Sequence, residues 1–228
     1  VTHALSQNRD SIMLEFTATA DLKDKNVINK YRDKIIFDYQ LKKFRESGYT
    51  KDFQNFATES ELWDRTLMAL ILSEYRRFLF SDNKLNVKPV VMLKSQRVAE
   101  SKEFYELFFD KIEHLSSEEI KMLQSTNIQI LSKALNYFKE KDPTFELLEH
   151  SIKNSFTKDN AIYMNETTDN NREKQLLVNS LEDKENPIRI IFTVDMLNEG
   201  WDVLNLYDIV RLYDTRQGSG KAGKIGNY

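Results

Sequence analysis

Ile188-Arg-Ile-Ile-Phe-Thr-Val194 is an apolar run that ends in the polar stretch Asp195 to Asp202, DMLNEGWD. Apolar residues fill nearly all of this run, which is typical of a strand covered on both faces in a parallel α/β sheet. Ligands of such sheets gather at the carboxyl ends of the strands. The sequence therefore predicts a buried strand that delivers a functional loop.

Other apolar segments predict further strands. Three are expected in the same sheet, at Val87 to Leu93, Ala161 to Met164 and Asp208 to Tyr213. A helix that ends at Glu182 precedes Asn186-Pro187, and this strand, helix, strand order is the order of a right-handed parallel crossover. Nearer the N-terminus, two short strands are predicted at Ser11 to Phe16 and Lys34 to Tyr39, with a charged connection between them.

Apolar residues at spacings of three and four predict several helices. Glu61 to Phe80 is the clearest, because its aromatic-rich stripe lies on one face. More helices follow before Phe156, with expected starts at the capping box Ser116 to Glu119 and at Asp142-Pro143. A parallel crossover needs one helix. We therefore expect a helical insertion over roughly 115–156, and we favour a passive lid over a surface that contacts DNA or a partner subunit.

Composition narrows the class of protein. The 228 residues, 40% hydrophobic and 30% charged, suffice for one core with appendages or for two small domains. No apolar run approaches the ~20 residues of a membrane helix. The absence of cysteine excludes disulfides, thiol catalysis and zinc–thiolate sites, and without an export signal the expected compartment is the cytoplasm. A net charge of −3 means that any DNA contact must be local.

Residue patterns for complete catalytic chemistry are missing. The three histidines, His3, His114 and His150, lack metal-ligand spacing, so no metal site is predicted. The stretch from Gly218 to Ile225 matches a phosphate-binding loop except at its last position, where isoleucine replaces the hydroxyl residue. Only three residues follow it, too few for the helix that such a loop needs. A flexible surface loop is the better interpretation.

Two motifs carry a resemblance to a known family. Thr193 to Asp202 reads T-x-x-x-x-x-x-G-x-D after an apolar strand, and it resembles motif V of superfamily 2 helicases and translocases. Its NEGWDV version, Asn198 to Val203, resembles the Res subunits of type III restriction enzymes. Leu14 to Ala20, LEFTATA, resembles motif III. The resemblance covers the chain from about Ile12 to its end.

The resemblance implies a RecA-like α/β fold of the helicase C-terminal, P-loop NTPase type, with a parallel sheet and a helical insertion. Residues 1–34 would end a first RecA-like domain and residues 35–84 would form a connector and packing helix. Residues 85–228 would form a second RecA-like domain that stops before motif VI. On this interpretation the chain is a fragment of a longer motor protein.

The resemblance also implies roles for nucleic-acid contacts. Thr193 would contact the nucleic-acid backbone, and Lys94 and Ser95, which follow a strand similar to motif IV, would contact phosphates. A hydroxyl or an ammonium group binds phosphate without reading bases.

Other residues fall on the nucleotide side or between the two sites. Gly200 and Asp202 would line the ATP side, and Thr17 and Thr19 would couple the ATP and strand sites. Trp201 is interpreted as a packing residue rather than a base-stacking one.

The resulting functional hypothesis is one part of an ATP-dependent DNA helicase or translocase motor of a type III restriction endonuclease. The full-length protein would use ATP and Mg²⁺ and have duplex DNA and a modification methyltransferase subunit as partners, with no membrane. The fragment alone is expected to bind no cofactor and to hydrolyse no ATP, because the triphosphate cradle, the magnesium carboxylates and the charge-stabilising arginine are missing. The alternative is a non-catalytic nucleic-acid or protein-interaction module whose helical insertion binds a partner subunit.

Overall fold

The computed structural model describes residues 10, 12–16, 24–48, 54–56, 60–164, 171–194 and 203–213. The chain divides into two compact units, one formed by Val1–Asn55 with Ala222–Tyr228 and the other by Phe56–Lys221. Within the described ranges, no helix has both the length and the apolar character needed to cross a membrane.

The first unit contains two short helices, α1 (Lys25–Tyr31) and α2 (Leu41–Glu46). The Asp24 side chain caps α1 by accepting the N–H of Asn26 at 2.7 Å. Helix α1 replaces the charged connection expected there.

The strands predicted at Ser11 to Phe16 and Lys34 to Tyr39 are wrong for the described residues 12–16 and 34–39, which form no strand. Side chains such as Phe16 and Ile36 are about nine-tenths exposed, at 91% and 86%. An apolar segment becomes a stable strand only when a neighbouring strand and a packed face are available, and a local pattern does not contain that information.

The second unit alternates helices and strands. Its elements in chain order are α3 (Leu62–Asp82), β1 (Val90–Ser95), α4 (Val98–Glu113), α5 (Ser117–Met122), a 3₁₀ turn (Leu123–Ser125), α6 (Gln129–Lys141), α7 (Glu146–Ser155), a 3₁₀ turn (Lys158–Asn160), β2 (Ala161–Met164), α8 (Asn171–Asn179), β3 (Ile190–Val194) and β4 (Leu206–Arg211). The α3 helix predicted from residues 61–80 is thus present.

The four strands form one parallel sheet in the order β2-β3-β1-β4. Helices lie on both faces, so the α/β, RecA-like fold class predicted from the sequence is confirmed. β2 has its predicted bounds. β1 begins three residues later than predicted and β4 two residues earlier.

The two faces of the sheet bury different cores. On one face, Val91, Leu93, Ile190 and Phe192 join the side chains of α3 to α7. The rings of Phe192 and Phe108 pack edge to face, with their centroids 5.3 Å apart. On the other face, α8 and the turn after it pack on the sheet and form a smaller core. Its members are Val90, Ile162, Met164, Val178, Leu181, Ile188 and Ile191. Alternate residues of each strand therefore face the two cores, as a strand's period of two requires.

The expected helical insertion packs on α3. The Ser116 hydroxyl accepts the N–H of Glu119 at 3.4 Å, so the predicted N-cap is present. The Glu119 carboxylate accepts the indole N–H of Trp63 at 3.0 Å, which links α5 to α3.

The predicted start of α7 at Pro143 is wrong, because the helix begins at Glu146. The Asp142 carboxylate accepts the N–H groups of Thr144 and Leu147, at 2.9 and 2.8 Å. Phe145 adopts a left-handed conformation with φ of 64° and is fully buried. A tight turn that buries this ring delays the helix.

Candidate nucleic-acid interface

Four residues form a row across the sheet near the carboxyl ends of the strands. Thr193 of β3 is in register with Lys94 of β1 and Met164 of β2, and Lys94 is in register with Arg211 of β4. Register partners on neighbouring parallel strands point to the same face and are about 4.8 Å apart. Three of the four residues carry a hydroxyl or a positive charge.

Two hydroxyls at this edge are buried without a hydrogen-bond partner among the described residues. Thr193 is 1% exposed and Ser95 is 0% exposed, and neither Oγ atom is hydrogen-bonded within that part of the chain. Leaving a buried polar group unpaired costs about 1–3 kcal/mol. Neither hydroxyl is accessible to solvent, so a phosphate could contact them only after the residues that cover them move away.

Positive charge at the same edge reaches solvent. Lys94 is half-buried, and Arg211, on the edge strand β4, is exposed. The sequence led us to propose Lys94 as a phosphate contact, but not Arg211. The available signal was an arginine that follows the apolar pair Ile209-Val210 in a predicted strand, but only the register places it beside Lys94.

Helix α4 begins three residues after β1 ends. Its N-cap residue, Arg97, makes no side-chain capping hydrogen bond. The first-turn N–H groups of a helix have no partners within the helix and favour anions. This helix terminus therefore adds hydrogen-bond donors to the end of β1, beside Ser95.

Several predicted residues lie outside the described part of the chain. They are Thr17, Thr19, Gly200, Trp201, Asp202 and the stretch 218–225. No group of three metal-binding side chains occurs among the residues that the structure describes. The described residues therefore do not test the assignment of an ATP side.

A buried ion cluster holds the opposite end of β3. Arg189, directly before β3, donates to the Glu74 carboxylate of α3 at 2.9 Å and to the Pro89 carbonyl at 2.8 Å. Arg77 donates to the other Glu74 oxygen at 2.7 Å, and the Ser151 hydroxyl of α7 donates to it as well. The cluster thus joins α3, α7 and the start of β3.

The pKa of Glu74 lies below its ordinary value of 4.5. Burial alone would raise it, but the charges of Arg189 and Arg77 and the hydrogen bonds to Arg77 and Ser151 outweigh burial. Burial lowers the pKa of Arg189, yet a guanidinium titrates far above neutral pH. Both partners are therefore charged at pH 7.

A second ion pair fixes the edge strand. Arg76 of α3 donates to the Asp208 carboxylate of β4, and its guanidinium lies 5.5 Å from the centre of the Tyr207 ring. Helix α3 therefore positions both β3 and β4, and with them Thr193 and Arg211.

The sheet and its polar edge define a RecA-like α/β domain with a helical insertion. One similar protein is the probable type III restriction-modification enzyme HindVIP Res subunit of Haemophilus influenzae, 35% identical over 237 residues. The match covers 95% of this chain and 46% of that protein, so the chain spans about half the length of the curated relative it matches. The resemblance to Res subunits predicted from the two motifs is confirmed.

No family model matches the chain. No solved structure matches it.

Proposed function

We propose that this chain is the second motor domain, with part of the first, of an ATP-dependent DNA translocase of the type III restriction kind. The observation that supports it is the row of Thr193, Lys94 and Arg211 at the carboxyl edge of a parallel sheet, in a chain similar to a Res subunit. The full-length protein would use ATP and Mg²⁺, act on duplex DNA and pair with a modification subunit.

In this proposal the carboxyl ends of the strands contact the DNA backbone. The cations Lys94 and Arg211 attract phosphates, and the contact carries no base information. The Thr193 hydroxyl on one face of the sheet and the Ser95 hydroxyl on the other would each gain a hydrogen bond from contact with a DNA phosphate, which would recover the cost of their unpaired burial. Thr193 directly precedes Val194, the last residue of β3. A displacement of Thr193 would therefore also displace the stretch 195–202, which follows it in the chain.

The predicted ATP-side residues Gly200 and Asp202 lie in that stretch. Hydrolysis of ATP, with Mg²⁺ neutralising charge on the phosphates, would supply the free energy for movement on DNA. The role of the described residues is to hold the β3 end in one position relative to α3 and to present charge to DNA. Thr17 and Thr19 retain their predicted coupling role.

The test uses Thr193→Val in the full-length protein, which removes the hydroxyl and retains the shape. Binding should weaken equally for specific and scrambled duplexes, and DNA should no longer stimulate ATP hydrolysis. Duplex titrations at two salt concentrations, with ATPase assays in parallel, measure both effects. A variant that lost discrimination between duplexes and kept its DNA-stimulated turnover would show that Thr193 reads sequence, contrary to the proposal.

A further inference from the structure

A polar cavity of about 670 Å³ lies at the amino ends of the strands, opposite the proposed DNA edge. Residues directly before β1, β2 and β3 line it, together with the carboxyl ends of α3 and α7 and the turn after α8. Its volume falls within the range of small-molecule sites, about 300–1,000 Å³. The proposed contacts with DNA and ATP do not involve this cavity.

Positive charge predominates in this cavity. Its walls carry five cationic side chains, Arg77, Lys84, Lys88, Lys184 and Arg189, against the two acidic side chains Glu182 and Asp183. Glu74, behind the wall, pairs with both arginines and neutralises one charge. Two positive side-chain charges therefore remain, partly offset by the carboxyl ends of α3 and α7, which carry partial negative charge, in a chain whose net charge is −3.

The two arginines are held rigidly from behind. Each donates to a different oxygen of Glu74, and each guanidinium lies about 5 Å from the centre of an aromatic ring, Phe78 for Arg77 and Phe156 for Arg189. The Nη1 atoms of both arginines make no hydrogen bond to a described residue. A fixed guanidinium with unused N–H groups suits an oxyanion, because little side-chain entropy remains to be lost on binding.

Lys88 adds an ammonium group that forms no salt bridge with the described carboxylates. Its hydrogen bond goes to the Asn186 carbonyl oxygen. Burial and the neighbouring Arg189 charge lower the pKa of Lys88. A bound anion would offset both effects.

Lys84 occupies a backbone position that usually favours glycine. It follows the end of α3 with φ of 59°, in the left-handed region. A non-glycine residue costs about 1–2 kcal/mol in this conformation. The left-handed backbone belongs to the turn that ends α3, in which the N–H of Leu85 donates to the Phe80 carbonyl at 2.8 Å, and lysine at this position brings a cation to the cavity wall.

We propose that this cavity binds a phosphate group through the edges of Arg77 and Arg189 and the ammonium groups of Lys88 and Lys84. The phosphate belongs either to a free nucleotide or to a nucleic-acid backbone, which share this chemistry. The site is separate from the row of Thr193, Lys94 and Arg211, which lies at the other end of the strands.

The test compares inorganic phosphate with chloride at matched ionic strength. Phosphate should raise the thermal midpoint of the whole 228-residue chain above its value in chloride by more in the wild type than in Lys88→Gln. The general stabilisation by excluded phosphate is common to both proteins, and only binding to the folded state differs between them. Lys88→Gln and Lys84→Gly should each weaken phosphate binding about tenfold by calorimetry, the scale of one charge-assisted hydrogen bond. Lys139→Gln removes an exposed charge on α6 and should leave phosphate binding unchanged.

Lys84→Gly also separates binding from folding. It relieves the left-handed backbone, so the variant should be at least as stable as the wild type in chloride and yet respond less to phosphate. Equal midpoints in phosphate and chloride for the wild type, or an equal loss of binding in Lys139→Gln, would overturn the proposal. Competition experiments with a 5′-mononucleotide and with a short duplex then identify the natural ligand. Displacement of phosphate by the mononucleotide indicates a free nucleotide, and displacement by the duplex indicates a nucleic-acid backbone.

Discussion

The buried polar groups at the two ends of the parallel sheet differ in how completely they are hydrogen-bonded. At the amino end, the Glu74 carboxylate is fully buried, and both its oxygens bond to arginines or to Ser151. At the carboxyl end, the hydroxyls of Thr193 and Ser95 are as deeply buried and have no partner among the described residues. A polar group whose bonds are complete stabilises the fold. One that is buried and incomplete is available for a ligand.

The largest change in the free energy of unfolding is expected at Glu74. Glu74→Ala leaves the buried guanidinium of Arg189 and the partly exposed guanidinium of Arg77 without their carboxylate, so the free energy of unfolding should fall by about 3–5 kcal/mol. Urea denaturation of the chain measures this change.

Glu149→Ala is the matched control, because Glu149 pairs with Lys153 at 2.9 Å near the surface of α7. That change should cost less than about 1 kcal/mol. Similar losses for the two variants would show that the buried cluster does not hold the amino end of the sheet.

Much of the sheet was predictable from local pattern. β3 is an unbroken apolar run, and its neighbours β1, β2 and β4 were found within a few residues of their bounds. The same reasoning placed strands at Ser11 to Phe16 and Lys34 to Tyr39, where the described residues form none, because apolar content does not show whether a pairing partner exists.

The site was predictable only in part. Lys94, Ser95 and Thr193 were proposed from the family resemblance, on residues at strand ends, whereas Arg211 becomes their neighbour through the β1–β4 register. The Glu74–Arg189 pair joins residues 115 positions apart, a relation that helix and strand periods do not reveal. The burial of Thr193 and Ser95 also could not be predicted, because it depends on how helices cover the sheet.

A smaller effect distinguishes satisfied hydroxyls from unsatisfied ones. Thr66 of α3 is fully buried like Thr193, but its hydroxyl donates to the Leu62 carbonyl at 2.9 Å. Thr66→Val should lower the free energy of unfolding by about 1 kcal/mol, whereas Thr193→Val should leave it unchanged or raise it. Parallel urea curves for the two variants make the comparison. Equal destabilisation would mean that the Thr193 hydroxyl contributes to folding, as the Thr66 hydroxyl does.

The acid stability of the chain should depend on Glu74. Its folded-state pKa is lower than 4.5, so its stabilising contribution is complete above pH 4.5 and is lost as the pH falls through the lower, folded-state pKa. The slope from this one group cannot exceed one proton, about 1.4 kcal/mol per pH unit.

Stability measured from pH 7 downward in wild type and Glu74→Gln isolates this contribution, because the other carboxylates are common to both. The wild type should be more stable at pH 7, and the difference should shrink in acid. A difference that stayed constant down to about pH 2, below the range in which a carboxylate titrates, would contradict the assignment of a charged Glu74.

The carboxyl end is tested most directly by the salt dependence of DNA binding in the full-length protein. Removing one cation that neutralises a phosphate of duplex DNA lowers the slope of log K against log salt by about 0.9. We expect that reduction for Lys94→Gln and again for Arg211→Gln, on specific and scrambled duplexes alike, with Lys139→Gln matching the wild type. Slopes that stayed at the wild-type value in both edge variants would contradict the claim that this end of the sheet contacts the DNA backbone.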